Sequence, residues 1–295
     1  MTDKYCVIGN PVAHSKSPQI HAAFAAQTGQ DIAYERCLAP LDGFAEVLRT
    51  LINQGYRGAN VTVPFKIEAT ALATTLTERA RAAGAVNTLR FADGEIHGDN
   101  TDGAGLVADI VQNAGVALTG KRILLLGAGG AARGIMLPFI EQQPAAILVA
   151  NRTRATADSL VAGFAGHGVD VAACGFDEIA GPYDIVINAT SSSLSAEMPP
   201  VPASAFAKGT LALDIMYGSA PSPFMVFAAA EGADTRDGLG MLVEQAAEAF
   251  LNATESNNRI GLTTFSDTVE ERVPLGNAEA VYEQTGVGPS DIDVI

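Results

Sequence analysis

The chain has 295 residues, 48% of them hydrophobic and 17% charged, with 30 glycines; this excludes a disordered polypeptide, suits an α/β protein with many tight turns and favours two domains. A formal charge of -15 argues against a nucleic-acid partner and against docking on anionic membranes, so any anionic ligand must be held by a few locally placed cations. Cys6, Cys37 and Cys174 are unevenly spaced, with no C-x-x-C and no histidine at ligand spacing, which indicates neither a disulfide framework nor a metal site; without a leader-like or membrane-length apolar run the expected setting is the cytoplasm.

In chain order, strands are expected near 4–9, 32–38 and 58–63, alternating with helices from Ser17-Pro18 to about Gln27, near 42–53 and over 66–74. That rhythm is βαβ with mostly parallel strands. Ser17 reads as a helix cap and Pro18 as the first helical residue. A hairpin-like pair around 85–97 turns at Asp93-Gly94, and Gly98 to Gly103 leads into a helix from Ala104 to Asn113 that bridges to a second unit. Strands of that unit are expected near 122–126, 145–150, 169–173, 184–188 and 210–215, before a last helix, about 239–253, whose apolar spacing fits packing back onto the first unit. The expected architecture is two-domain α/β: residues 1–103 completed by 239–256, then 104–238 as a Rossmann-type dinucleotide-binding domain, with a tail, 257–295, of no assigned role.

Gly127-Ala128-Gly129-Gly130-Ala131-Ala132 directly follows the 122–126 strand and opens a helix, the context in which such a glycine pattern points to a dinucleotide. Gly127 makes the tight turn, Gly129 lets backbone approach a pyrophosphate, and Ala132 permits close packing of helix on strand, while the helix N-terminus offers amides to phosphate. At the end of the next strand, where an acidic residue would select NAD, stands Asn151, followed by Arg152, Thr153, Arg154 and Thr156; forked cations and hydroxyls suit the 2′-phosphate of NADP. Either arginine alone can be a plain surface cation. A later strand end, Asn188-Ala189-Thr190-Ser191, lies on the same carboxyl edge; its hydroxyls are also ordinary turn residues.

Asn60-Val61-Thr62-Val63-Pro64-Phe65-Lys66 alternates polar and apolar side chains, with Val61 and Val63 read as facing inward and Pro64 ending the ladder. A lysine at that mouth can donate or accept a proton, because its pKa responds to burial; the plain alternative is a solvated lysine. Ser15-Lys16-Ser17 precedes a helix start, where hydroxyls and free amides can grip a carboxylate. Asn87 and Asp102 stand near strand ends, and Asp102 can also be read as a helix cap before Gly103.

Ser15-Lys16-Ser17, Asn60 to Lys66, Ala85-Val86-Asn87-Thr88, Asp99-Asn100-Thr101-Asp102-Gly103, Gly127 to Ala131, Asn188-Ala189-Thr190-Ser191 and Asp237-Gly238-Leu239-Gly240-Met241-Leu242 together resemble the shikimate dehydrogenase family, over roughly residues 5 to 254. The resemblance implies reduction of 3-dehydroshikimate to shikimate with NADP(H) and no metal, in the route to chorismate and aromatic amino acids, by a monomer or homodimer. It makes Lys66 the acid/base group and Asp102 its partner. Ser15 and Ser17 would hold the substrate carboxylate with Tyr217 closing that end, and Asn60, Thr62, Asn87 and Gln245 would bond ring hydroxyls. For the cofactor it implies Gly127, Ala128, Gly129, Gly130 and Ala131, the segment Asn151 to Thr156, Thr190, Ile215, Gly238, Met241 and Glu78. Thr156 stands where many relatives carry an arginine, which leaves Arg154 as the second clamp. Two other readings are a quinate/shikimate dehydrogenase using NAD and a non-catalytic sensor of shikimate-pathway compounds.

Overall fold

The computed structural model describes residues 2–255 apart from 14, 191, 193–196 and 219; the tail 257–295 and Ser191 therefore lie outside the described residues. Two six-stranded sheets organise it. The first has the order β2-β1-β3-β5-β6-β4, built from β1 (Asp3–Gly9), β2 (Ile32–Leu38), β3 (Tyr56–Val61), β4 (Thr75–Leu76), β5 (Thr88–Ala92) and β6 (Glu95–Asp99). β1 pairs parallel with β2 and β3, and β4 with β6, whereas β5 runs antiparallel to both β3 and β6. The β5–β6 hairpin turns through Asp93 (φ 55°) and Gly94 (φ 79°), two successive left-handed residues that match the twist of the flanking strands.

Helices α1 (Ser17–Thr28) and α9 (Leu239–Glu255) cover one face of this sheet through Ile20, Phe24, Val243 and Phe250. The opposite face is packed by α2 (Phe44–Asn53) and α3 (Lys66–Leu72) through Phe44, Leu48, Phe65 and Ala69. The alternation read in 60–66 breaks at its end. β3 stops at Val61, the last residue paired with β1, so Val63 lies beyond the pleat and is 65% exposed instead of facing inward. Two short elements carried too little apolar periodicity to be anticipated: β4, and α4 (Glu78–Ala83), capped by the Thr77 hydroxyl, which accepts the Ala80 amide at 3.3 Å.

The second sheet is wholly parallel, in the order β9-β8-β7-β10-β11-β12. Its strands are β7 (Arg122–Leu126), β8 (Ala146–Ala150), β9 (Asp170–Cys174), β10 (Ile185–Asn188), β11 (Leu211–Asp214) and β12 (Asp234–Arg236); β12, a short edge strand, was not legible in the sequence. This is the doubly wound order that reverses between its first and fourth strands, opening a crevice at their carboxyl ends. Leu124, Leu126, Val186 and Ala212 face one core layer, and Ile123, Leu125, Ile187 and Leu213 the other, as expected of strands buried on both faces. α6 (Gly130–Glu141), α7 (Arg154–Ala162) and α8 (Pro223–Ala230) complete the layers.

Between the sheets runs α5 (Asp102–Ala108), continued by one π-helical turn over Asp109–Asn113. The expected helix thus starts two residues earlier. α5 packs on α9 and α6 at close range because small residues meet there: a Cβ on Gly105 would sit 2.5 Å from the Gln245 amide, and one on Gly103 would be 2.8 Å from Pro138.

Candidate active site

A cleft of about 410 Å³ opens between the two sheets. All nine side chains expected to touch substrate line it, namely Ser15, Ser17, Asn60, Thr62, Lys66, Asn87, Asp102, Tyr217 and Gln245, together with Ala131, Ile215, Gly238 and Met241 from the expected cofactor set.

Lys66 reaches the cleft because the turn before it is anchored. Phe65, 1% exposed, stacks on Phe44 at 4.9 Å, and its amide donates to the Thr62 carbonyl at 3.0 Å. That leaves Lys66 as the first residue of α3, its Nζ donating to Asp102 Oδ2 at 2.7 Å, with side-chain exposures of 24% and 3%. Asp102 is no helix cap: it is the first residue of α5, and its amide donates to Asn100 Oδ1 at 3.1 Å. Asn100 is itself held by the Ala85 carbonyl at 2.9 Å.

Asn87 joins the two halves of the site. Its Nδ2 approaches Asp102 Oδ1 at 2.8 Å and Gln245 Oε1 at 3.1 Å, while its Oδ1 accepts the Thr101 amide at 2.9 Å. Every polar atom of Asp102 and Asn87 thus has a fixed partner, the condition for a pre-organised buried polar network. Asn60 is held likewise, accepting from the Tyr34 hydroxyl at 2.6 Å and donating to Thr88 Oγ1 at 3.1 Å.

Ser17 does not cap α1. It is the first helical residue, and its amide donates to Ser15 Oγ at 3.3 Å, so both serines stand at the helix N-terminus and face the cleft. Arg36 places this corner by donating to the Ser15 carbonyl from Nε at 3.0 Å and from Nη2 at 2.6 Å. That contact left no trace in the sequence, since a strand arginine 21 positions from the serine carries no motif. At the far wall, burial and the charge of Asp237 push the Tyr217 phenol above its ordinary pKa, keeping it a neutral donor.

The glycine loop follows β7 at the point where the strand order reverses. Gly127 has φ +103°, and a Cβ there would lie 2.9 Å from the Ala189 carbonyl after β10, so both conformation and approach demand glycine. Cβ atoms on Gly129 or Gly130 would meet nothing within 4 Å, which leaves an open cradle beside the N-terminus of the 12-residue α6 that fits a pyrophosphate. Ala128 is buried beneath it, and Ala132 is fully buried against the sheet. The loop after β10 is tied down: Thr190 Oγ1 donates to Asn188 Oδ1 at 2.7 Å, and Asn188 Nδ2 to Asp214 Oδ2 at 3.1 Å. Gly238 passes so close to Ile215 that no side chain fits between them.

Beyond β8, Asn151 Nδ2 donates to the Thr153 carbonyl at 2.9 Å, and Arg152, Thr153, Arg154 and Thr156 are exposed. The two arginines differ. Arg154 Nη1 is paired with Glu178 at 2.6 and 2.9 Å, whereas Arg152 has no ion pair among the described residues. Glu78 does not join the loop or the cleft. It lines a second cavity, of about 630 Å³, against β3, β5 and the end of α9. Among the described residues no group of histidine, cysteine and carboxylate side chains could hold a metal ion, and no helix is long and apolar enough to cross a membrane.

Residues 7–89 match the shikimate dehydrogenase substrate binding domain, and residues 108–199 match shikimate / quinate 5-dehydrogenase. A protein of Janthinobacterium sp. (strain Marseille) named shikimate dehydrogenase (NADP(+)) is 61% identical over 249 residues, 84% of this chain and 91% of its own. The chain belongs to the shikimate dehydrogenase family. Herminiimonas arsenicoxydans has a shikimate dehydrogenase (NADP(+)) 59% identical over 250 residues, 85% of this chain and 91% of the relative. The shikimate 5-dehydrogenase of Thermus thermophilus, solved in complex with NADP(H) and shikimate, superposes with a TM-score of 0.78 at 29% identity, covering 96% of this chain and 99% of that one. The two-sheet α/β architecture is that of these shikimate dehydrogenases.

Proposed function

We propose that this chain reduces 3-dehydroshikimate to shikimate with NADPH, in the biosynthesis of chorismate and the aromatic amino acids, with Lys66 as the acid/base group and Asp102 as its partner. The observation that carries the reading is the 2.7 Å Lys66–Asp102 pair inside a cleft that gathers nine hydrogen-bonding side chains next to the glycine loop. Residues 1–103 with 239–256 form the substrate unit and 104–238 the cofactor unit. The enzyme works in the cytoplasm as a monomer or homodimer.

Ser15 and Ser17, with Tyr217 opposite, hold the substrate carboxylate at the α1 N-terminus. Asn60, Thr62, Asn87 and Gln245 bond the ring hydroxyls, a polar lining that selects a hydroxylated ring over an apolar isostere. The Gly127–Ala131 cradle and Arg152 hold NADPH, which supplies the hydride when bound. As negative charge develops on the C3 carbonyl oxygen, the Lys66 ammonium stabilises it and gives up its proton, so that carbonyl becomes alcohol. Asp102 keeps the ammonium aimed at that oxygen. Lys66 then regains a proton from water on the open side of the cleft, where a quarter of its side chain is exposed.

The test follows NADPH and NADH oxidation with 3-dehydroshikimate, and reduction of the oxidised cofactors with shikimate and quinate. Turnover with shikimate and a preference for NADPH are expected. Greater turnover with quinate and NAD would assign the chain to that activity instead, and tight binding of shikimate without turnover would make it a sensor.

A further inference from the structure

Behind the cleft, on a strand that contributes nothing to its lining, stands Tyr34 of β2. Its hydroxyl donates to Asn60 Oδ1 at 2.6 Å, shorter than either bond made by the other end of that amide, to Thr88 Oγ1 at 3.1 Å and to the Asn87 carbonyl at 3.4 Å. The His21 ring lies flat on Tyr34, with centroids 4.1 Å apart and planes within 6°, and Phe24 meets His21 edge-on at 6.2 Å. His21 is 4% exposed, and burial lowers its pKa to about 3 against a hydrogen bond with the Asn60 side chain, so the stack is neutral and holds the phenol in one place.

We propose that Tyr34 is a positioning residue that fixes which end of the Asn60 amide faces the cleft, and so sets the polarity with which the site reads one ring hydroxyl. An amide has two N–H donors and two acceptor lone pairs. Both N–H groups of Asn60 point at acceptors within the protein, and Oδ1 takes the Tyr34 proton with the His21 ring as a further hydrogen-bonding neighbour, so what the amide turns to a ligand is the acceptor oxygen and not an N–H. Asn60 therefore presents an acceptor, matched to a hydroxyl that donates. Lys66, a pure donor, stands six residues further along the same cleft wall. The two demand opposite roles from the ring oxygens they meet, which a ring with only carbonyls or ethers cannot supply. Without the phenol the amide can turn over and offer N–H instead.

This inference rests on the dehydrogenase reading, and the experiment separates the two. Steady-state kinetics with shikimate and NADP+ compare the native chain, Tyr34→Phe, Asn60→Ala and the double variant, with thermal melting as the check on folding. Tyr34→Phe keeps the ring stack; its KM for shikimate should rise roughly five- to tenfold, the worth of one hydrogen bond, with kcat within about threefold and the KM for NADP+ unchanged. In the Asn60→Ala background the same substitution should cost much less than in the native chain, because Tyr34 acts mainly through that amide and what remains is its contact with Ser17. Additive losses, or an unchanged shikimate KM in Tyr34→Phe, overturn the inference while leaving the activity standing; a native chain without shikimate turnover overturns both. If Tyr34→Phe does not fold, 4-aminophenylalanine at position 34 replaces it: a weaker donor on the same ring should raise KM by a smaller factor, and an unchanged KM again overturns the inference.

Discussion

Lys66→Met keeps the aliphatic stem and removes the ammonium, which separates two consequences of the Lys66–Asp102 pair. The first is catalytic. Loss of a positioned general acid costs about 10²–10⁴-fold in turnover, roughly 3–5 kcal/mol of barrier. The second is structural: Asp102, 3% exposed, is left with a buried charge that keeps only its Asn87 donor at 2.8 Å. Breaking a buried pair costs about 3–5 kcal/mol; the retained hydrogen bond and a lysine site 24% open to water bring this to about 2 kcal/mol. For a chain of 295 residues that lowers the melting temperature by about 3 °C. Adding Asp102→Asn removes the stranded charge, so the double variant should recover most of the lost melting temperature yet stay inactive. Differential scanning calorimetry and NADPH oxidation measure the two effects side by side. Turnover within tenfold of native in Lys66→Met would remove this lysine from proton transfer, and a double variant that melts lower than the single one would refute the buried-charge argument.

Two further outcomes are expected. Arg152→Ala should raise the KM for NADPH about tenfold or more, as loss of a charge-assisted contact does, and leave NADH kinetics unchanged; Arg154→Ala, whose guanidinium is already paired with Glu178, should shift the NADPH KM much less, and equal effects would show that both arginines bind the 2′-phosphate. Glu244 is 5% exposed, and burial together with the charge of Asp109 pushes its pKa up to about 7, against the hydrogen bond from Asn113. A carboxyl raised above its unfolded value gives stability that is complete below the usual carboxylate range and lost as pH rises through about 7. Glu244→Gln, which cannot ionise, should therefore melt several degrees above the native chain at about pH 8 and level with it at about pH 5, and a gain of equal size at both values would exclude this titration as the cause.

Much of the molecule was determined by local sequence. Strand periods and the glycine loop set the βαβ rhythm and the dinucleotide-binding unit, because each depends on neighbours within a few residues, whereas the lining of the cleft was legible only through the resemblance that the short motifs, taken in order, bear to a known family. Gly127 shows why: its left-handed φ is a local demand that only glycine meets cheaply, so it is visible in the chain. The tertiary structure alone decided what each polar residue does once the chain has closed. It brought Asn87 against Gln245, 158 positions away, through the close packing of α5 and α9, and it gave Ser15, Asn60 and Arg154 the partners Arg36, Tyr34 and Glu178. It also turned Val63 outward, ended the capping roles read for Ser17 and Asp102, and set Glu78 in the wall of another cavity. Hydrogen bonds between distant side chains leave no period in a sequence, since they are chosen by packing and by the need to satisfy buried polar atoms.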